Sequence, residues 1–244
     1  MKAVVLAAGY ATRLYPLTED RPKHLLEIGG RPILDHLLDR LAPIGLEHVY
    51  VVTNARFADR FGVWAEGRPE IEVVDDGTTS DDDKLGAIGD LDLVIERERL
   101  DDDLIVAAGD SLFNETLAGF GEFARAKAAP ATAVYDVGST EAIKKYSSIG
   151  LDDDDRIVFF EEKPSEPRST LAGIALYFYP RSALPLVRQY VAEDNNPDQP
   201  GRLIEWLYTR TPVYGWRVPG EWIDIGSPET LAAAEREFTK PAQS

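Results

Sequence analysis

Lys2 to Ala7 forms a short, unbroken apolar run that stops at Gly9, the pattern of a central strand buried on both faces and opening into a loop. From Pro32 the pattern changes. Ile33, Leu34, Leu37, Leu38 and Leu41 recur at helical spacing, with Gly45 closing the stretch, which predicts an amphipathic helix. Strands are predicted over His48 to Thr53, Ile71 to Val74 and Leu104 to Ala108, with helices over Ala55 to Glu66 and Leu85 to Arg97 between them. Further on, Thr132 to Val137, Ser148 to Leu151, Arg156 to Glu161 and Ala172 to Tyr179 read as strands, with a hairpin connection at Asp152 to Asp155. A helix from Pro180 to about Ala192, a loop over 195–201, a helix at Leu203 to Thr209 and a strand at Val213 to Val218 follow. Ser227 is placed to cap a last helix, with Pro228 at its first position and Glu229 in its first turn, running to about Phe238.

Strands alternating with helices at this spacing predict an α/β fold: a mixed, mainly parallel, Rossmann-like sheet flanked by helices, with a smaller β-rich part in the second half. Ligands of such sheets sit beyond the carboxyl ends of the strands. The loop after Ala7 and the turn at Gly109-Asp110 therefore belong to one edge. A single domain over 1–244 is expected, with halves at 1–130 and 131–244.

Charge narrows the partners. The 43 acidic residues outnumber 26 basic ones, a formal charge of −17, which disfavours nucleic acid and anionic membranes as partners. Aspartate runs at Asp81 to Asp83, Asp101 to Asp103 and Asp152 to Asp155 lie between predicted elements and read as solvated turns. The chain has no cysteine, which excludes disulfides and thiolate chemistry. The apolar run at Lys2 to Ala8 is better explained as a buried strand than as a signal peptide, because no small-residue cleavage pattern follows it. A cytoplasmic location is expected. A homo-oligomer is compatible with the sequence, which does not specify one.

The chemistry concentrates after the first strand, in Leu6-Ala7-Ala8-Gly9-Tyr10-Ala11-Thr12-Arg13-Leu14-Tyr15-Pro16-Leu17-Thr18 and then Arg21-Pro22-Lys23-His24. Small residues at Ala8 and Gly9 let backbone N–H groups approach a polyphosphate, and Arg13 and Lys23 supply positive charge. Neither a Walker A loop nor the three-glycine dinucleotide pattern is present. His24, His36 and His48 form no catalytic constellation and are expected to be structural or exposed.

This segment resembles the signature of the sugar-1-phosphate nucleotidyltransferases, typified by glucose-1-phosphate thymidylyltransferases: Leu-Ala-Ala-Gly-x-Gly-Thr-Arg-Leu, then Pro-Leu-Thr, then Pro-Lys. Ala11 stands where that family has glycine. If the loop needs a positive φ there, alanine costs about 1 kcal/mol or more. Ala107-Ala108-Gly109-Asp110, Glu161-Glu162-Lys163-Pro164 and Glu221-Trp222-Ile223-Asp224-Ile225-Gly226 resemble three further motifs of the family, in the right order.

The resemblance implies the nucleotide-diphospho-sugar transferase type of fold and a reaction, like that of a glucose-1-phosphate thymidylyltransferase, that turns a nucleoside triphosphate and a sugar 1-phosphate into a nucleotide sugar and pyrophosphate. It implies Mg²⁺ held by Asp110 and Asp224. It further implies triphosphate binding by Ala8, Gly9, Thr12, Arg13 and Lys23, acceptor-phosphate binding by Lys163, and sugar contacts from Glu162 and Gly173. Residues 75–91 occupy the place where the family reads the base, with Gly86 the best-aligned position, and the usual pyrimidine-reading glutamine has no counterpart. Ser147 and Ser111 stand where relatives carry Tyr-Gly and asparagine. No C-terminal left-handed β-helix of the kind some relatives carry is expected. Two alternatives stay open: a phosphocholine-type cytidylyltransferase, for which Trp206, Tyr208, Trp216 and Trp222 could cage a quaternary ammonium, and a non-catalytic nucleotide- or sugar-phosphate-sensing homologue.

Overall fold

Ala3, Val4 and Val5 have no exposed surface because β1 (Lys2–Leu6) runs through the middle of the sheet, bonded on both edges and covered on both faces. The computed structural model describes residues 1–238; the end of the expected single domain, 239–244, lies outside the described residues. After β1 a long loop carries two 3-10 turns, Thr12–Leu14 and Lys23–Leu25, and leads to a hairpin of β2 (Glu27–Ile28) and β3 (Arg31–Pro32). Then come α1 (Ile33–Leu41), β4 (Val49–Thr53), α2 (Ala58–Ala65), β5 (Ile71–Asp75), α3 (Ala87–Arg97) and β6 (Leu104–Ala108). β1, β4, β5 and β6 pair in parallel, as the alternation of elements predicts.

The second part begins with β7 (Ser111–Phe113), α4 (Ala118–Lys127), β8 (Ala131–Asp136), a short α5 (Thr140–Ile143), β9 (Ser147–Leu151), β10 (Ile157–Glu162) and β11 (Leu171–Tyr179). It ends with α6 (Leu184–Ala192), α7 (Gly201–Leu207), β12 (Tyr214–Arg217), β13 (Trp222–Asp224) and α8 (Pro228–Phe238). Among the described residues the sheet has nine strands: β10-β9-β11-β6-β1-β4-β5, with β8 on β11 and β12 on β8. β11 runs antiparallel to β6, which makes the sheet mixed. The aspartate runs do lie in turns: Asp152 accepts from the N–H groups of Asp154 and Arg156, and Asp83 from those of Thr79 and Ser80.

Three differences from the sequence reading have local causes. α4 is not predicted by pattern, because Gly119 and Gly121 interrupt it. Both are packing positions: a Cβ on Gly121 would lie 2.7 Å from Ile44, and one on Gly119 would lie 3.2 Å from the Trp216 ring. α3 begins at Ala87 rather than Leu85, since Gly86 has φ 79°. α2 begins at Ala58 rather than Ala55, since Phe57 N–H closes a turn on Asn54.

Alternation along β1 divides the core. Ala3 and Val5 face a cluster with Leu34, Leu37 and Leu41 of α1, Phe61 of α2 and Phe120 of α4. Val4 faces the other side, against Ile88, Leu91 and Val94 of α3, Val187 of α6 and Ile204 of α7. A third, smaller cluster joins Leu14 and Leu26 of the long loop to Ile33, Leu112 of β7, and Ile225 and Ala234 near the C-terminal end. That cluster fastens the β13–α8 segment to the loop after β1. α8 is capped as predicted, with the Thr230 N–H 3.3 Å from Ser227 Oγ.

Ile225 is fully buried in this third cluster. Ile225→Ala is expected to lower the unfolding free energy by about 2–5 kcal/mol in chemical denaturation, because the deleted groups leave a void in a buried cluster. A loss below about 1 kcal/mol would show the cluster to be peripheral. The loop itself stores strain, for Ala11 sits in the left-handed region at φ 50°, ψ 38°. Thr18 holds it there by donating from Oγ1 to the Ala11 carbonyl at 2.9 Å. Ala11→Gly should raise the thermal midpoint, with a net gain of up to about 1 kcal/mol once the greater unfolded-state entropy of glycine is subtracted. A lower midpoint would contradict this account.

Candidate functional site

β1 and β6 are adjacent and parallel, so their carboxyl ends lie side by side, Leu6 opposite Ala108. Gly109 continues the pairing by donating its N–H to the Leu6 carbonyl at 2.9 Å. A Cβ there would lie 3.0 Å from the His24 ring and 3.2 Å from Val5, so glycine lets the backbone turn tightly and present Asp110 at the sheet edge. β7 follows at once and pairs antiparallel with β13, which places Asp224 opposite Ser111. The Ile225 N–H also donates to the Asp110 carbonyl at 3.1 Å. Two carboxylates far apart in sequence are thereby fixed as neighbours.

Lys23, from the second 3-10 turn, forms an ion pair with Asp110; their side chains are only 14% and 18% exposed. Burial acts most strongly on Asp110 and raises its carboxyl, but the Lys23 charge and the surrounding hydrogen bonds outweigh it and hold it below the usual range. Asp224 is pushed up to about 6, first by burial and then by the Asp110 charge, with Lys23 and Arg13 opposing. His24 is buried beneath this pair. Burial, then the Lys23 charge, press it down to about 3, so it is neutral and structural. His36 bonds to the Ile28 carbonyl at 2.9 Å and His48 meets Glu72 at 3.3 Å, so neither enters the site.

Three cavities meet at Asp110, which lines all of them. The first, of 230 Å³, contains Ala8, Gly9, Lys23 and Gly86. The second, of 290 Å³, contains Thr12, Arg13, Lys23 and Asp224. The third, of 340 Å³, contains Arg13, Glu162, Lys163, Gly173 and Asp224. The three adjoining spaces thus gather every site residue singled out from the sequence. Gly86 is doubly required, since it has φ 79° and a Cβ would lie 2.7 Å from the Pro197 carbonyl oxygen. Lys163 has φ 47°, and its N–H donates to the Tyr146 carbonyl at 2.8 Å, which sets the bend after β10. Ser147 Oγ accepts from the Gly173 N–H at 3.0 Å across the β9–β11 pairing, tying the two strands together at the third cavity.

Other wall residues escaped sequence reasoning. Lys145, Tyr146 and Gln199 line the third cavity, and Asp76 and Asp90, inside the 75–91 stretch but not singled out there, line the first. Asp90 had a readable signal: it sits one turn before Val94 on the apolar face of α3, where a carboxylate is out of place. Gln199 lies in a loop without periodicity. Of Trp206, Tyr208, Trp216 and Trp222, only Trp222 lines the third cavity. Trp206 packs edge-on against Tyr190, and Trp216 packs on Phe120. The four therefore form no cage.

Among the described residues no cluster of three or more His, Cys, Asp or Glu could hold a metal ion. Asp110 and Asp224 nevertheless offer hard oxygen donors with mutual repulsion that a cation would relieve. Such a set fits a divalent ion that keeps water and substrate oxygens in its remaining positions. No helix among the described residues is long and apolar enough to cross a membrane.

The sequence profile of the nucleotidyl transferase family matches residues 2–241. A mannose-1-phosphate guanylyltransferase of Mycobacterium tuberculosis is 30% identical over 98% of this chain and 64% of its own length. A UTP–glucose-1-phosphate uridylyltransferase, AglF, of Haloferax volcanii is 28% identical over 98% and 96%. The bifunctional protein GlmU of Methanocaldococcus jannaschii is 27% identical over 97% of this chain, which spans only 54% of that protein. Among solved structures, UDP-glucose pyrophosphorylase complexed with UDP-glucose superposes with a TM-score of 0.80 at 19% identity, covering 97% of each chain, and shares the fold. A mixed sheet with this strand order, the signature loop at its edge and a profile match along almost the whole sequence have one common meaning: the chain belongs to the nucleotidyl transferase family.

Proposed function

We propose that the protein is a sugar-1-phosphate nucleotidyltransferase, converting a nucleoside triphosphate and a sugar 1-phosphate into a nucleotide sugar and pyrophosphate. The observation that carries this reading is the meeting of three cavities at one carboxylate, with a small-residue loop on one side and two cations on another. In the same reading, residues 1–130 carry the nucleotide and 131–244 the sugar phosphate. The loop resembles the signature typified by glucose-1-phosphate thymidylyltransferases, and glucose 1-phosphate is the acceptor to try first.

The reaction joins two anions. A phosphate oxygen of the sugar 1-phosphate attacks the α-phosphorus of the triphosphate; the new P–O bond forms as the bond to the bridging α–β oxygen breaks, and pyrophosphate leaves with the electron pair. The attacking oxygen is already ionised at neutral pH, so no general base is needed, in accord with a neutral, buried His24. Lys163 anchors the acceptor phosphate in the third cavity. Arg13, which lines both the second and third cavities, faces the charge gathering on the departing pyrophosphate, and Lys23 holds the phosphates near the breaking bond. Glu162, raised by burial, has a carboxyl suited to bonding a sugar hydroxyl. Asp110 and Asp224 would hold a Mg²⁺ ion, which would supply neutralisation of the phosphate charges.

The test is pyrophosphate release with Mg²⁺ across nucleoside triphosphates and sugar 1-phosphates. Turnover with at least one pair is expected; binding without turnover for every pair would favour a sensing homologue instead. Turnover with CTP and phosphocholine alone would favour the cytidylyltransferase alternative, against which the dispersed tryptophans speak. Asp110→Asn and Asp224→Asn should each lose at least about a hundredfold in kcat, an electrostatic contribution of roughly 3 kcal/mol, with the circular dichroism spectrum unchanged. Full activity in either variant would remove that carboxylate from the mechanism. Lys163→Ala is expected to raise KM for the sugar phosphate far more than KM for the triphosphate; equal effects on both would place the lysine elsewhere.

A further inference from the structure

The first cavity has an unusual wall. It continues from the loop at Ala8, Gly9 and Ala11, past Lys23 and Asp110, to a far end where Asp76, Asp81, Asp90 and Asp198 gather with Lys84 and Gly86. A nucleotide whose phosphates lie against the loop would place its base at that end. The cations there are already committed: Lys84 meets Asp198 at 3.1 Å and Asp81 at 3.3 Å, and Lys23 pairs with Asp110. Asp76 is anchored through Oδ1, which accepts from the Thr78 N–H at 2.7 Å and from the Thr78 hydroxyl at 2.8 Å. Asp90, on the first turn of α3, is 5% exposed and its Oδ1 has no hydrogen-bond partner.

We propose that Asp76 and Asp90 form a base-reading pair that selects guanine, whose Watson–Crick edge carries the adjacent N1–H and N2–H₂ donors, over uracil and thymine. The proposal rests on the nucleotidyltransferase reading and adds to it the identity of the triphosphate. The chemistry is a matter of matching edges. Uracil and thymine present two carbonyl oxygens flanking a single N–H, so a wall of carboxylate oxygens repels two of their three polar groups. Guanine presents its donors side by side and one acceptor, O6, the pattern that a carboxylate accepts bidentately. Burial, and after it the charge of Asp76, push Asp90 up to about 8, while Asp76 itself is raised by burial. The two carboxyls also hydrogen-bond to each other. The carboxylate oxygens left outside that contact are the acceptors offered to N1–H and N2–H₂. The unpartnered Oδ1 is a buried polar atom left without the hydrogen bond such atoms normally make.

Binding of GTP, ATP, CTP, UTP and dTTP to the full chain, measured by calorimetry in Mg²⁺ buffer without acceptor, tests the assignment independently of turnover. GTP is expected to bind at least about tenfold more tightly than UTP or dTTP, and Asp76→Asn or Asp90→Asn should shrink that gap to within about threefold. UTP or dTTP binding as tightly as GTP in the unaltered protein would overturn the proposal while leaving the proposed reaction intact, as would CTP or ATP outranking GTP. A gap unchanged in both variants would remove the selection from these two residues. Failure of every triphosphate to bind would overturn the nucleotidyltransferase reading itself. The ranking in the unaltered protein decides the base even if a variant fails to fold.

Discussion

Two like charges held together away from bulk water are the constraint on which the site depends. Asp110 and Asp224 are brought together by the pairing of β7 with β13, and backbone hydrogen bonds, not side-chain attraction, keep them there. Left alone, such a pair repels, and the structure compensates unevenly: Lys23 pairs with Asp110, while Lys23 and Arg13 only partly offset the raised carboxyl of Asp224. The architecture around the pair follows from that imbalance. The third core cluster anchors β13 so that the repulsion cannot push it away, and the loop after β1 returns Lys23 beneath the carboxylates. In the proposed reaction, a divalent cation bound together with polyanionic substrates would offset that repulsion.

The sheet was largely legible from pattern because its signals are long and unambiguous. The apolar run of β1 and the helical spacing of Ile33, Leu34, Leu37 and Leu41 lead directly to a buried strand and an amphipathic helix. α4 was illegible for a physical reason: Gly119 and Gly121 lower its intrinsic propensity, and only the approach of Ile44 and Trp216, invisible along the chain, explains them. Element edges moved by a few residues wherever a turn took the first positions, as at Gly86 and Phe57.

The site was legible in a different way. No periodicity brings Asp224 to Asp110; that came only from resemblance between motifs, and the pairing of β7 with β13 gives it a geometric cause. The departure at Ala11 was visible as a wrong residue for a left-handed position, and the loop keeps the left-handed conformation nonetheless. The walls contributed by loops, Gln199 and Pro200 above all, carry no pattern that spacing could expose.

The stretch from Pro197 to Gly201 is more than a wall. Its backbone presses on Gly86 in the first cavity, Pro200 lines both the first and third cavities, and Gly201 opens α7 against Glu162 in the third. One short span thus serves as a common partition between two chambers. In the proposed reaction the donor and the acceptor would share this wall, and a displacement of it would alter the fit of both.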